Sequence, residues 1–290
     1  MSKSIAVQAA GAIVLREVQG VKQVLIVYRK RYNDWSLPKG KGIVDEQRPE
    51  TAVREVREET GVIARLGLRL PSATYPVAKG LKRVDYWRAT PVAAHLRPPD
   101  REVTKVRWLP VDEAAAQMTY RHDVDVLTAA LAMPDTTPLL LVRHAKAMLR
   151  RNWSGSDQTR RLSSRGRRQA SDLIGLLEAF GVSRLVSSPA TRCYETLHPY
   201  SKHTGLPIET YPILTEEEGA HDHPAVTKFV RKLARGFTEP TALCGHRPVL
   251  PAIFTALGLE PRPMVVSEVI VLHRDKDGNN VRVEVHKPTA

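Results

Sequence analysis

The sequence predicts an α/β protein of two domains, and three observations lead there. The chain has 290 residues, roughly twice the ~150 of an average domain. The stretch Met133-Pro-Asp-Thr-Thr-Pro138 holds two prolines and no apolar anchor, so it reads as a linker between a domain at 1–134 and another at 135–290. Beyond it, short apolar runs alternate with helical stretches, the order of a sheet layered with helices.

In the first domain the strand-like runs are Ala9 to Leu15, Val24 to Tyr28, Val84 to Thr90 and Val103 to Leu109. One strong helix is expected from Pro49 to Thr60, because Pro49 suits a first turn and Gly61 a left-handed stop. Helices Val111 to Met118 and His122 to Met133 follow, which makes a mixed sheet flanked by helices. Past the linker the expected order is strand Leu139 to Val142, helix Ser164 to Phe180, strand Leu185 to Ser187 and helix Ala190 to His203. Helix Pro224 to Arg235, strand Ala242 to Cys244 and helix Pro248 to Leu257 come next. A hairpin closes the chain, Glu268 to Leu272 and Val281 to Val285, turning at Asp277-Gly278-Asn279.

Composition narrows the function. Hydrophobic residues are 42% and charged residues 26%, and no apolar run approaches the roughly 18 residues of a membrane span, which excludes a helical membrane protein. Lys3 and the apolar run from Ser4 to Leu15 imitate an export signal, but Gln8 interrupts the run and the pattern continues past Gly20 as a hairpin. Cys193 and Cys244 are too few for a disulfide framework, so a cytoplasmic protein with reduced thiols is expected. The net charge is +13. It is shared between the halves, 22 basic against 15 acidic residues over 1–134 and 22 against 16 over 135–290. Such a surplus favours polyanions. Aromatic residues are only 6%, and neither a helix with clustered Arg and Lys nor an aromatic stripe stands out, so phosphorylated metabolites are expected rather than a nucleic-acid sequence.

Gly40 is followed by Glu46 and then by Arg54-Glu55-Val56-Arg57-Glu58-Glu59-Thr60-Gly61-Val62. On a helix Glu55, Glu58 and Glu59 share one face. Three like charges repel unless hard cations sit between them, and an all-oxygen ligand set suits Mg²⁺. A solvated acidic helix surface is the bland alternative. The spacing matches G-x5-E-x7-R-E-U-x-E-E-x-G-U, with U aliphatic, at every specified position, so residues 6 to 133 resemble the Nudix hydrolases. The resemblance implies an α/β/α sandwich with a mixed sheet. It also implies Mg²⁺-dependent attack of water on a nucleotide phosphoanhydride, with Mn²⁺ as a substitute metal. Glu55, Glu58, Glu59 and the Gly40 carbonyl would hold metal, Arg54 would orient Glu55, and Glu46 would brace the loop. Glu102 is the candidate distal ligand or base, set against an ordinary charged loop residue. Ahead of the box, Trp35-Ser-Leu-Pro-Lys-Gly40 is similar to Nudix enzymes that cleave dinucleoside polyphosphates or diphosphoinositols. Looser versions occur in MutT-like enzymes that remove oxidised guanine nucleotides. Lys39, Lys41, Arg29, Lys30 and Arg31 are candidate phosphate contacts, and Trp35, Tyr86 and Trp87 candidate base-stacking rings, of which at least one should be core.

The second domain opens with an apolar strand that ends in Arg143-His144-Ala145, and ligands bind beyond the carboxyl ends of such strands. Three further elements follow in order: Leu162-Ser-x-Arg165-Gly-x-x-Gln169-Ala, Ser187-Ser-Pro-Ala-Thr-Arg192-x-x-x-Thr196, and Cys244-Gly-His246 before a helix. Together they resemble the histidine phosphatase superfamily, closest to its compact phosphohistidine-phosphatase-like branch, over residues 137 to 290. His144 would then be a nucleophile, with Arg143, Arg192 and His246 around the transferring phosphoryl group. Glu216, Glu217 and Glu218 stay open as the general acid, and Ala145 replaces the usual glycine of the triplet.

The leading expectation is therefore nucleotide phosphoanhydride hydrolysis, with 8-oxo-guanine nucleotides and diadenosine polyphosphates as substrates. A dinucleoside polyphosphate hydrolase, or a nucleotide sensor with inactive sites, is the alternative. Expected partners are nucleotides, with self-association through the two domains and neither membrane nor sequence-specific nucleic acid.

Overall fold

The computed structural model describes residues 5–95, 97–235 and 238–288. Lys3 and Ser4, weighed above as part of a leader-like segment, lie outside the described residues. The chain divides into two compact units, Met1–Asp135 and Thr136–Ala290. Among the described residues no helix is long and apolar enough to cross a membrane.

In the first unit the order is β1 (Ile5–Val18), β2 (Val21–Arg29), β3 (Asp34–Ser36), β4 (Lys39–Lys41), α1 (Arg48–Thr60), β5 (Val62–Arg69), β6 (Ala73–Val77), β7 (Gly80–Ala94), β8 (Val103–Pro110), α2 (Val111–Gln117) and α3 (Arg121–Leu131). The sheet runs β3-β2-β1-β7-β5, with β4 on β1, β6 on β7 and β8 on β2. It is mixed, because β1 and β7 are parallel while the other pairs are antiparallel. Ala9, Ile13, Val24, Ile26, Val84 and Leu127 share one core cluster, which α2 and α3 help to cover. Strand β5 was not expected from the sequence, yet its residues alternate buried and outward-facing, as a strand with one covered face must.

The second unit contains β9 (Thr137–Arg143), α4 (Ser164–Ala179), β10 (Arg184–Ser187), α5 (Thr191–Thr204), β11 (Ile208–Thr210), α6 (Glu216–Gly219), α7 (His223–Arg235), β12 (Thr241–Gly245), α8 (Leu250–Ala256), β13 (Val269–Arg274) and β14 (Asn280–His286). Its sheet order is β11-β10-β12-β9-β13-β14. The first four strands are parallel and the last two antiparallel. Leu139 to Val142 form a central strand buried on both faces, which is why they read as a continuous apolar run. The topology fixes the site: β9, β10 and β12 are parallel neighbours, so His144, Ser188 and His246 leave the sheet at the same edge.

Candidate active sites

Helix α1 carries the carboxylates of the first unit. Pro49 sits buried in its first turn, and Gly61 closes it at φ 75°, its N–H donating to the Arg57 carbonyl at 2.8 Å. Thr51, Ala52 and Val56 face inward, which leaves Arg54, Glu55 and Glu58 toward the loop that follows β4. Arg54 binds that loop to the helix. Its Nε and Nη2 donate to the two oxygens of Glu46 at 2.7 and 2.9 Å, and its Nη1 donates to Glu55 at 2.8 Å and Glu58 at 2.9 Å. Nη2 also reaches the Lys41 carbonyl at 2.9 Å. Glu46 in turn accepts from the Thr51 hydroxyl at 2.7 Å and the Ile43 N–H at 3.2 Å. The hydrogen bonds that Arg54 donates to Glu46 and Glu55 hold its guanidinium firmly protonated.

Gly40 has a steric reason to be glycine, since a Cβ there would overlap the Glu55 carboxylate. Glu59 is 7% exposed and its Oε2 accepts the Lys39 N–H at 3.0 Å. Burial pushes its carboxyl up to about 7, against the pull of the Lys39 charge. Burial likewise pushes Glu55 up; Arg54 opposes this, and the charges of Glu58 and Glu102 add to it. Glu102 is exposed, on the loop before β8.

Among the described residues no three His, Cys, Asp or Glu side chains converge as a closed metal cage. The donor set nevertheless fits a hard divalent cation. Two desolvated carboxylates stand together, and the Gly40 backbone lies against one of them. Mg²⁺ keeps several of its waters and needs only one or two protein carboxylates.

The second unit builds a different site. The ends of β9 and β12 supply His144, 8% exposed, and His246, fully buried, their rings 5.5 Å apart, and the first turn of α5 supplies Arg192, also fully buried. His144 Nδ1 lies 2.8 Å from the Ala145 carbonyl, which can only accept, so Nδ1 carries the proton and Nε2 keeps its lone pair. Burial lowers the His144 pKa below the ordinary imidazole value, which favours that neutral form. Beside it Arg192 Nε and His246 Nδ1, and on the preceding residue Arg143 Nε, are buried with no hydrogen-bond partner among the described residues. Three orphaned polar groups on charged or chargeable side chains are what a site for an oxyanion requires. Their other atoms are anchored: Arg143 Nη1 to the Met264 carbonyl, Arg192 Nη1 to the Asp157 carbonyl at 2.7 Å, and His246 Nε2 to Ser188 Oγ at 2.8 Å.

The motif between 162 and 170 holds the loop behind His144. Ser163 caps α4 and its Oγ donates to the Lys146 carbonyl at 2.9 Å, while Gln169 Oε1 accepts the Lys146 N–H at 3.0 Å. A Cβ on Gly166 would overlap the Lys146 carbonyl oxygen. Thr196 accepts the Ala145 N–H at 2.9 Å. Of the three acids left open, the fold brings Glu216 to the site: its carboxylate accepts from Arg192 at 2.8 Å and Arg150 at 3.0 Å and lies 3.7 Å from His246 Nδ1. Glu217 and Glu218 are exposed. Asp157, which no motif marks, pairs with Arg192, Arg150 and Arg160 at about 3 Å.

The NUDIX domain family model matches residues 6–131, and the histidine phosphatase superfamily (branch 1) model matches 139–257. The 8-oxo-(d)GTP phosphatase of Mycolicibacterium smegmatis is 40% identical over 257 residues, spanning 85% of this chain and 79% of that protein. The chain belongs to the Nudix hydrolases and carries a histidine phosphatase domain. It is a hydrolase of phosphorus anhydrides. Among solved structures, the Ap4A hydrolase of C. elegans in a binary complex is similar over 44% of this chain and 96% of its own, at 23% identity and TM-score 0.40. The protein histidine phosphatase SixA complexed with tungstate is similar over 52% of this chain and 95% of its own, at 24% identity and TM-score 0.41.

The Nudix domain has a cavity of about 450 Å³ lined by Arg29, Tyr32, Lys39, Tyr75, Lys82, Tyr120 and His122. Here the structure corrects the expected substrate contacts. Tyr86 is fully buried, its hydroxyl donating to Asp123 at 3.3 Å, so it is a core residue and offers no face to a base. Trp87 is core as well. Trp35 packs on Tyr28, ring centroids 5.2 Å apart, with Arg107 over it, outside the cavity. Lys39 does line the cavity, but its ammonium donates to the Leu37 carbonyl at 3.0 Å and to Ser36 Oγ and lies 3.6 Å from Asp123; it is no free channel lysine. Arg29 lines it too, paired with Asp34 at 2.6 Å, while Arg31 and Lys41 are exposed outside it. The rings at the cavity are instead Tyr75, His122 and Tyr120, stacked with centroids 4.3 and 5.3 Å apart. Lys82 beside them is lowered to about 8 by burial and by the charges of Lys39 and Arg29. Sequence reasoning missed these because β6 and the start of α3 lie some 45 residues apart in the chain and Pro76 disguises β6 as a turn.

Proposed function

We propose that the Nudix domain hydrolyses phosphoanhydride bonds of nucleotides, with 8-oxo-guanine nucleoside triphosphates as the leading substrates, and that the second domain is a phosphatase working through His144. The alignment to the M. smegmatis 8-oxo-(d)GTP phosphatase carries this reading, because it runs through both domains. The cavity supports it: stacked rings suit a purine, and Arg29 and Lys82 suit its phosphates.

In this reading Glu55, Glu58, Glu59 and the Gly40 carbonyl hold Mg²⁺ (Mn²⁺ can substitute), with Glu102 as a further ligand or base. The metal, when bound, neutralises phosphoryl charge and acidifies water. Arg54 orients Glu55 and Glu58, and Glu46 keeps Arg54 in place. In the second domain His144 Nε2 forms the P–N bond as the phosphorus–leaving-group bond breaks, and water then returns His144 to its free state with release of phosphate. Arg143, Arg192 and His246 donate to the phosphoryl oxygens through the atoms that otherwise lack partners. A leaving group that is itself a phosphate departs as an anion and needs no general acid, which accords with Glu216 being committed to two arginines.

Dinucleoside polyphosphates are the second reading, favoured by the W-x-L-P-K-G lead-in and the Tyr75–His122–Tyr120 stack. A panel of 8-oxo-dGTP, 8-oxo-GTP, dGTP and diadenosine polyphosphates, with products resolved by ion-exchange chromatography, decides between them. Preference for the oxidised guanine nucleotides over dGTP is expected, with turnover lost in Glu59→Gln. Preference for the diadenosine compounds moves the function to the second reading, and equal turnover in Glu59→Gln removes the metal assignment.

A further inference from the structure

Against the expectation that no helix clusters basic residues, α7 carries four of them. Val226, Val230 and Ala234 turn inward, so the intervening positions face out and place Lys228, Arg231, Lys232 and Arg235 along one exposed stripe. Helix α7 contains no Asp or Glu. Among the described residues none of the four cations has a carboxylate within salt-bridge distance. Helix-dipole compensation accounts for Lys232 and Arg235 in the last turn. It does not account for Lys228 and Arg231, whose repulsion with the other two works against the helix.

The stripe is not on a flat surface. It borders a groove of about 700 Å³ whose other wall is α8, with Pro251, Ala252 and Thr255 along it. The helices are tied across the groove, Thr227 Oγ1 donating to the Ala252 carbonyl at 3.2 Å. None of the residues that surround His144 lines this groove.

We propose that the α7–α8 groove is a binding site for a linear polyphosphate chain, separate from both active sites. From Lys228 to Arg235 the helix advances about 10 Å at 1.5 Å per residue, so the four cations form a row along the groove that matches a string of closely spaced phosphates. Single-stranded nucleic acid fits less well, since no Phe, Tyr or Trp lines the groove to stack a base and its one ring, His223, is held to the Pro248 carbonyl at 2.9 Å. The chain can come from inorganic polyphosphate or from a nucleoside polyphosphate, whose chemistry is the same here.

Acetylation footprinting of the full-length protein by mass spectrometry tests this locally, in EDTA so that nothing is turned over by a metal-dependent step. Tripolyphosphate is expected to slow acetylation of Lys228 and Lys232 several-fold while leaving exposed Lys276 unchanged. Equal protection by ATP assigns the site to nucleoside polyphosphates as well; protection by tripolyphosphate alone assigns it to the inorganic chain. The double variant Arg231→Glu/Arg235→Glu, checked for an unchanged melting temperature, should lose the protection. The proposal is overturned by no protection, by equal protection from sulfate at matched ionic strength, by protection from oligothymidylate alone, or by protection that survives in the double variant.

Discussion

Arg54 shows how much one side chain can organise. Its guanidinium joins Glu46, Glu55, Glu58 and the Lys41 carbonyl through five hydrogen bonds in one plane-forming fork. A lysine has the charge without the fork. Arg54→Lys is therefore expected to lower kcat for anhydride hydrolysis at least about tenfold with little change in melting temperature; wild-type kinetics in this variant would show that charge alone suffices. His144 works differently. Its reactivity rests on one carbonyl, that of Ala145, which fixes the tautomer, and on burial, which keeps the ring neutral.

At the scale of elements, close approach decides two outcomes. Helix α4 reaches the loop behind His144 only because Gly166 has no side chain. Gly166→Ala should force the loop away, costing about 1–3 kcal/mol by overpacking and reducing phosphoenzyme formation, measured by denaturant unfolding and by trapping acid-labile phosphate. An unchanged midpoint and yield would mean that the loop shifts at no cost. Strands β13 and β14 carry the second case. Glu284, nearly buried, pairs with His273 at 2.6 Å and His286 at 3.4 Å. Burial alone would raise its pKa, but the hydrogen bonds from the two histidines hold it at about 2, below the ordinary 4.5. A depressed folded-state pKa gives stability that is present above the unfolded value and is lost as pH falls from about 4.5 to about 2, on the order of 3 kcal/mol. Glu284→Gln should remove that part of the acid dependence, and chemical denaturation between pH 6 and pH 3 measures it. Identical pH slopes in the two proteins would rule the pair out as its source.

For the whole molecule, two core clusters among the described residues draw on one unit each, and the two candidate sites share no residue. His144→Ala is therefore expected to abolish any phosphoenzyme and leave nucleotide anhydride cleavage at its normal rate, while Glu59→Gln does the reverse. Loss of both activities in either variant would mean that the two domains build one site. Truncation after Met133 extends the comparison: equal rate, products and product inhibition in the short form would show that the phosphatase domain plays no part in Nudix turnover.

The sequence by itself determined the α/β class, the helix bounded by Pro49 and Gly61, the carboxylate box and the Arg-His strand end. These depend on local spacing and on residue types whose reason lies within a few positions, such as Gly61, whose left-handed φ of 75° ends α1 on the Arg57 carbonyl. Only the tertiary structure decided which ring faces a cavity, since Tyr75 pairs with Lys82 and so shares a sheet face with Tyr86, yet its place along the sheet leaves it at the cavity while Tyr86 is buried. It likewise chose Glu216 among three adjacent acids and brought in Asp157, because partners 24 and 35 residues away on the chain select them by position. The α7 stripe needed the fold as well. Its charges were visible as letters, but their lack of counter-charge and the groove beside them depend on how α7 packs against α8.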